Sequence, residues 1–142
     1  MKNNNYPIWL VPLDIAKELK EIGFDEPSHF YFLYYLGWEM LKKRGDEYGF
    51  ITSNRAYVVE KHNENGNLSI PTWEQVFEWF REKGMFHSIC IVDDLLEGVK
   101  CFEAEIRDNN GDIICILSRV TYEEAREALV KALIQTYKRE QL

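Results

Sequence analysis

Basic residues are scarce in this chain: 17 Lys and Arg stand against 24 Asp and Glu, a formal charge of −7. Both halves share the deficit, with 8 basic against 10 acidic residues before position 71 and 9 against 14 from there on. A phosphate backbone is held chiefly by Lys and Arg displacing counterions, so this balance argues against nucleic acid as a partner. Lys42, Lys43 and Arg44 form the one basic run, expected as a solvated helix end or turn. Cysteine is sparse as well. Cys90, Cys101 and Cys115 are an odd number, and positions 1–5 lack the apolar stretch of a secretory signal, so a disulfide framework is not expected and a reducing cytoplasm is. Long apolar runs are missing too, which excludes a membrane-spanning segment and a membrane partner. Gly45, Gly49 and Gly66 stand isolated, so no glycine-rich phosphate loop is present and no cofactor is implied.

What is present describes one globular domain over 1–142, with an N-terminal helix and aromatic-rich segment in 1–70 and a second unit in 71–142. Apolar residues make up 46% of the chain and charged residues 29%, enough for a packed core in 142 residues. Ile15, Leu19 and Ile22 recur on one helical face after Pro12, predicting a helix over 12–22 that Gly23 stops, with Phe24 folding back on its end. The stretch from His29 to Lys43 gives mixed signals, because its aromatics favour a strand while Trp38 to Lys43 favours a helix; it is read as strand, then irregular. A turn is expected over 45–49, a strand from Arg55 to His62, and a turn from Asn63 to Asn67.

The second half is clearer. Thr72 with Gln75, and Thr121 with Glu124, each have the spacing of a capping box, in which an N-cap hydroxyl and a side chain three residues on satisfy two orphan donors. Trp73, Val76, Phe77 and Phe80 share a face before Gly84 ends the first of these helices, and Ala125, Leu129, Ala132 and Leu133 form the stripe of the second. Between them, strands are expected at Phe86–Val92, Val99–Arg107 and Ile113–Ser118, the last two joined by the hairpin signal of Asp108 to Asp112. Alternation puts Phe102, Ala104 and Ile106 on one face and Cys101, Glu103, Glu105 and Arg107 on the other, so one sheet face meets water. The fold class is therefore α+β: an antiparallel sheet with helices packed on one face, and helix, three strands, helix in the C-terminal half.

The segments 72–84 (TWEQVFEWFREKG), Phe102 to Ile106, 121–137 (TYEEAREALVKALIQTY) and 15–27 (IAKELKEIGFDEP) resemble a family of uncharacterised short proteins encoded by gut anaerobes and their phages or mobile elements. The resemblance implies an accessory protein and carries no activity or site residues. The order helix, three strands, helix also resembles the double-stranded-RNA-binding domain. That domain grips phosphate with a basic cluster at the start of its last helix, where this chain has Thr121, Tyr122, Glu123, Glu124, Ala125, Arg126 and Glu127, so a shared topology is implied without the ligand.

Few residues look chemical. His87, Cys90 and Cys101 are the nearest approach to a metal set, yet only one pair has ligand-like spacing, and Cys in a strand usually packs as a small hydrophobe. Glu103 and Glu105, with Asp93 and Asp94 in what reads as the preceding loop, could offer paired carboxylates, although a solvated outer face accounts for the pair. The unusual density is aromatic: Phe30, Tyr31, Phe32, Tyr34, Tyr35, Trp38, Tyr48, Phe50 and Tyr57 place nine of the 20 aromatic residues in one stretch. Consecutive aromatics in a strand point both ways, so a core absorbs roughly half of them. Tyr31, Tyr34, Tyr35 and Trp38 are thus the candidate contact surface. The expected function is non-catalytic binding, to a host protein or by self-association; a small-ligand binder holding a nucleotide-like molecule between rings is the alternative, and a small carboxylate hydrolase the third reading.

Overall fold

The computed structural model describes residues 8–26, 30–35, 38–43, 67–94 and 99–141, and the side chains of 8–26, 68, 70–93 and 100–141. The chain is α+β, with two three-stranded antiparallel sheets among the described residues. Its contacts fall into two compact units, Met1–Gln75 and Val76–Leu142.

The first unit begins with helix α1 (Leu13–Glu21), which buries Ile15, Ala16 and Leu19. Pro12 sits one position earlier than expected, at the N-cap, with φ −61° and ψ 159°. Its missing N–H is no loss there, since that position needs no intrahelical donor. Gly23, at φ 94°, turns the chain so that its N–H donates to Lys20 O (3.1 Å) and that of Phe24 to Leu19 O (2.9 Å). Phe24 is buried as a result.

Strand β1 (Phe30–Tyr35) is the middle strand of this unit's sheet, between β2 (Trp38–Lys43) and β3 (Asn67–Ile70). Trp38–Lys43 therefore does not run irregular. It pairs with β1 along its whole length, from Phe30↔Lys43 to Tyr35↔Trp38, leaving two residues for the connection. Cross-strand pairing overrides the weak helical preference of Glu39 to Lys43. Lys42 and Lys43 accordingly close a strand and not a helix or turn; Arg44 lies outside the described residues. Asn67, expected to end a turn, opens β3, which pairs with β1 from Leu33↔Asn67 to Phe30↔Ile70. The turn expected over 45–49 and the strand expected from Arg55 to His62 also lie outside the described residues. Leu10 bridges to Thr72, Val11 N–H donates to Pro71 O (3.1 Å) and the Trp73 indole N–H to Ile8 O (2.9 Å), so an unforeseen extended segment is tied to the start of the next helix.

That helix, α2 (Trp73–Glu82), has the cap its sequence encodes. Gln75 N–H donates to Thr72 Oγ1 (3.2 Å), and Thr72 N–H to Gln75 Oε1 (2.8 Å). Its far end repeats the α1 solution: Gly84, φ 84°, donates to Arg81 O (3.0 Å) and Met85 to Phe80 O (2.9 Å).

In the second unit, β4 (Phe86–Asp94), β5 (Val99–Arg107) and β6 (Ile113–Arg119) form an antiparallel meander with β5 central. Asp93 and Asp94, read from sequence as loop, are the last residues of β4, paired with Lys100 and Val99. Helix α3 (Tyr122–Glu140) follows, its Glu124 N–H donating to Thr121 Oγ1 at 3.1 Å. Ala104 and Ile106 are fully buried on the sheet face beneath α3, whose Ala125, Leu129, Val130, Leu133 and Ile134 are buried with them. On the same face Phe77 of α2 stacks on His87, ring centroids 3.9 Å apart and planes 13° from parallel. Both helices thus cover one face of the sheet, and no described element covers the other. Thr136, the buried polar residue of this core, donates its hydroxyl to Ala132 O (2.8 Å), so its burial leaves no orphan donor.

Candidate functional site

The open face follows from the register. Residues directly opposite in a ladder share a face, and β5 sets which. Phe102, Ala104 and Ile106 point to the helices, so Cys101, Glu103, Glu105 and Arg107 point away. Arg107 faces Phe86 on β4 and Ile113 on β6; Glu105 faces Ser88 and Ile116; Glu103 faces Cys90 and Ser118. Ile106 pairs with Cys115 and Arg107 with Ile113, so Ile114 is an extra residue, and this bulge brings Ile113 to the same side as Ile116. Phe86, Ile113 and Ile116 are 41%, 47% and 52% exposed there.

Between these apolar flanks the charges are held in place. Arg107 Nε donates to Glu105 Oε1 (2.6 Å), and Arg107 Nη1 to Gly111 O (2.7 Å). The hairpin that presents Gly111 is closed by Asp108, whose Oδ1 accepts from Asn110 N–H (2.9 Å) and Asp112 N–H (3.0 Å). Glu103 and Glu105 share this face, while Asp93 stands opposite Lys100 on the helix side. Of the four carboxylates singled out from sequence, Glu103 and Glu105 therefore come together, Asp93 falls on the other face, and Glu105 is spent on Arg107; the side chain of Asp94 lies outside the described residues.

The same register separates His87 from Cys90. His87 faces Ile106 on the helix side, Cys90 faces Glu103 on the open side, and one ion cannot be reached from both. Cys90 and Cys101 are diagonal neighbours, where Cα atoms lie roughly 7–8 Å apart, beyond disulfide reach. Among the described residues no group of three His, Cys, Asp or Glu side chains could hold a metal, and no helix is long and apolar enough to cross a membrane.

Two further surface features belong to this unit. A shallow groove of about 360 Å³ between the end of β6 and one side of α3 is lined by Arg119, Glu124, Glu127, Ala128 and Lys131, with Glu127 and Lys131 paired at 3.4 Å. Among the described residues no aromatic ring lines it. At the start of α3, Tyr122 (41% exposed) meets Phe102 edge-on at 6.0 Å and lies under the Arg126 guanidinium at 5.5 Å, near exposed Val120.

Of the candidate contact residues, Tyr31, Tyr34 and Tyr35 are on β1, and Trp38 opens β2 directly opposite Tyr35. Positions 31, 35 and 38 belong to one face of that sheet and position 34 to the other. The placement of their side chains lies outside the described residues.

Phe86, Ile113 and Ile116 were not singled out from sequence. The run IICIL has apolar residues at both parities and a bulge within it, so alternation alone cannot say which are outward. The signal lay next door, in the clean alternation of β5, once the hairpin is registered. Comparison with known protein families, with curated proteins and with solved structures finds no match to this chain.

Proposed function

We propose that this chain is a non-catalytic binding protein that acts by occupying another protein, through the open face of the β4–β5–β6 sheet. The observation that carries the reading is the exposure of Phe86, Ile113 and Ile116 on a face that no described element covers, around Glu103 and the Glu105–Arg107 pair. Exposed apolar groups gathered on one face mark an interaction surface more often than scattered ones do. The acidic rows Glu103 and Glu105, on a chain of charge −7, suit a partner surface that is basic with apolar neighbours. The resemblance to proteins of gut anaerobes and their mobile elements supports a host protein as that partner. Tyr31, Tyr34, Tyr35 and Trp38 on the β1–β2 hairpin are a second set of anchors in this proposal, because interface energy concentrates on a few aromatic residues.

The test is site-specific photo-crosslinking in cells, with the probe at Phe86, at Ile113 and, as control, at Gln135 on the exposed side of α3. A discrete adduct from the first two positions and none from the third is the expected result. Equal labelling from all three positions, or none from any, sinks the reading.

A further inference from the structure

Strand β6 is an edge. Among the described residues it pairs with β5 alone, so its other side offers a row of backbone donors and acceptors. Edges in monomeric proteins are usually blunted by a Lys, a Pro or an inward charge. From Ile113 to Ser118 this strand (IICILS) carries none of these, and its bulge lies at Ile114, which leaves Cys115 to Arg119 regular. The opposite edge, β4, is better guarded: it ends in Asp93 and Asp94, and Phe77 is stacked on its His87.

We propose that β6 is the seat of a second copy of this chain, pairing antiparallel across a two-fold axis at Ile116 to make one continuous six-stranded sheet. The inference rests on the reading that this protein acts by contact, and it names one such contact. Symmetry restricts the geometry. A two-fold axis normal to an antiparallel ladder passes midway between a residue and its own copy, because only then do paired residues share a face. With Ile116 at that point, two outward isoleucines meet side by side, each 52% exposed in the single chain. Because Ile114 is an extra residue, the copy's Ile113 then falls opposite Ser118 on the open face and its Asp112 opposite Arg119 on the helix face, and both Arg119 and Asp112 are exposed. Each end of the seam thus brings a cation to an anion. The groove beside β6 is charge-balanced as well, with Arg119 and Lys131 against Glu124 and Glu127, so this flank avoids the repulsion that a net −7 imposes elsewhere.

Sedimentation velocity of the purified full-length chain over a dilution series tests this. The expected result is a monomer–dimer equilibrium that Ile116→Lys weakens by on the order of tenfold or more, because like charges would stand directly opposite each other. Ile91→Lys, an exposed position on β4, leaves it unchanged. A chain that stays monomeric at every concentration overturns the proposal, and so does a dimer that Ile116→Lys leaves intact. Hydrogen exchange of the wild type decides the matter without any variant: protection of the amides of 115–119 rises with concentration if β6 is the seam, and a lack of dependence overturns it. Phe86 lies on the far strand from the seam, so failure of the dimer leaves the crosslinking result to judge the open face separately.

Discussion

The two three-stranded sheets of this chain are built from different kinds of sequence. In β4–β5–β6 the middle strand alternates, with Phe102, Ala104 and Ile106 against Glu103, Glu105 and Arg107, and exposure alternates with it from Glu103 to Arg107. In β2–β1–β3 the middle strand is FYFLYY, apolar or aromatic at every position. Alternation tells a strand which face is inside, since a slip of one residue would turn every side chain over. A strand without it is committed to pairing but not to a side. The comparison separates two kinds of information, that a segment is a strand and which way it faces, and the first can be present without the second.

The sharpest test of the alternating sheet is the same residue type on its two faces. Ile106→Ala, at a fully buried position, should lower stability by about 2–5 kcal/mol, whereas Ile116→Ala on the open face should change it little. Chemical denaturation of both variants reads the difference, and equal effects would mean that the open face is covered.

For the other sheet the corresponding test is functional. Changing Tyr31, Tyr34, Tyr35 and Trp38 singly to Ala should cost binding of the photo-crosslinked partner about 2 kcal/mol at an anchor while leaving the melting temperature nearly unchanged. Large losses of thermal stability at all four positions would assign the rings to the core.

The units also stop a helix alike, at Gly23 and at Gly84, both with positive φ. Alanine in that conformation costs about 1–2 kcal/mol. Gly84→Ala should cost more than Gly23→Ala, because a Cβ at 84 would come within 2.5 Å of Asn109 Nδ2 whereas one at 23 meets nothing within 4 Å. Asn109 ends a flexible side chain, so a few tenths of the excess and a shifted Asn109 amide signal are expected. Thermal melts and an amide spectrum check both.

Smaller and more even effects are expected at the two helix starts. Thr72→Ala and Thr121→Ala should each lower stability by about 1 kcal/mol with the fold retained, since each hydroxyl accepts one N–H of the first turn. Circular dichroism with a denaturant titration measures it. The smallest expected effect is none: double-stranded RNA at physiological salt should not be retarded by the protein, because Glu123 and Glu124 stand at the start of α3. A retarded band that vanishes as salt rises would reverse that expectation.

Much of the second unit was legible before the structure. The strands of 86–119 and both caps are local features, each written in a few adjacent residues, and they fall where capping spacing and alternation put them. Trp38–Lys43 and Asn67–Ile70 were not legible, because neither has a period of its own. Each becomes a strand by pairing with β1, a partner that propensity does not consult.

By itself the sequence determined the class of the fold, the ends of its helices, the polar and apolar faces of β5, and a charge that disfavours phosphate. Those depend on neighbours along the chain. Only the tertiary structure decided that Trp38–Lys43 pairs with β1, that the bulge at Ile114 turns Ile113 and Ile116 outward together, and that β6 is left at an edge among the described residues. Each of these is a matter of register and strand order between segments distant in sequence, where one residue of offset reverses a side chain's direction and no local pattern records it.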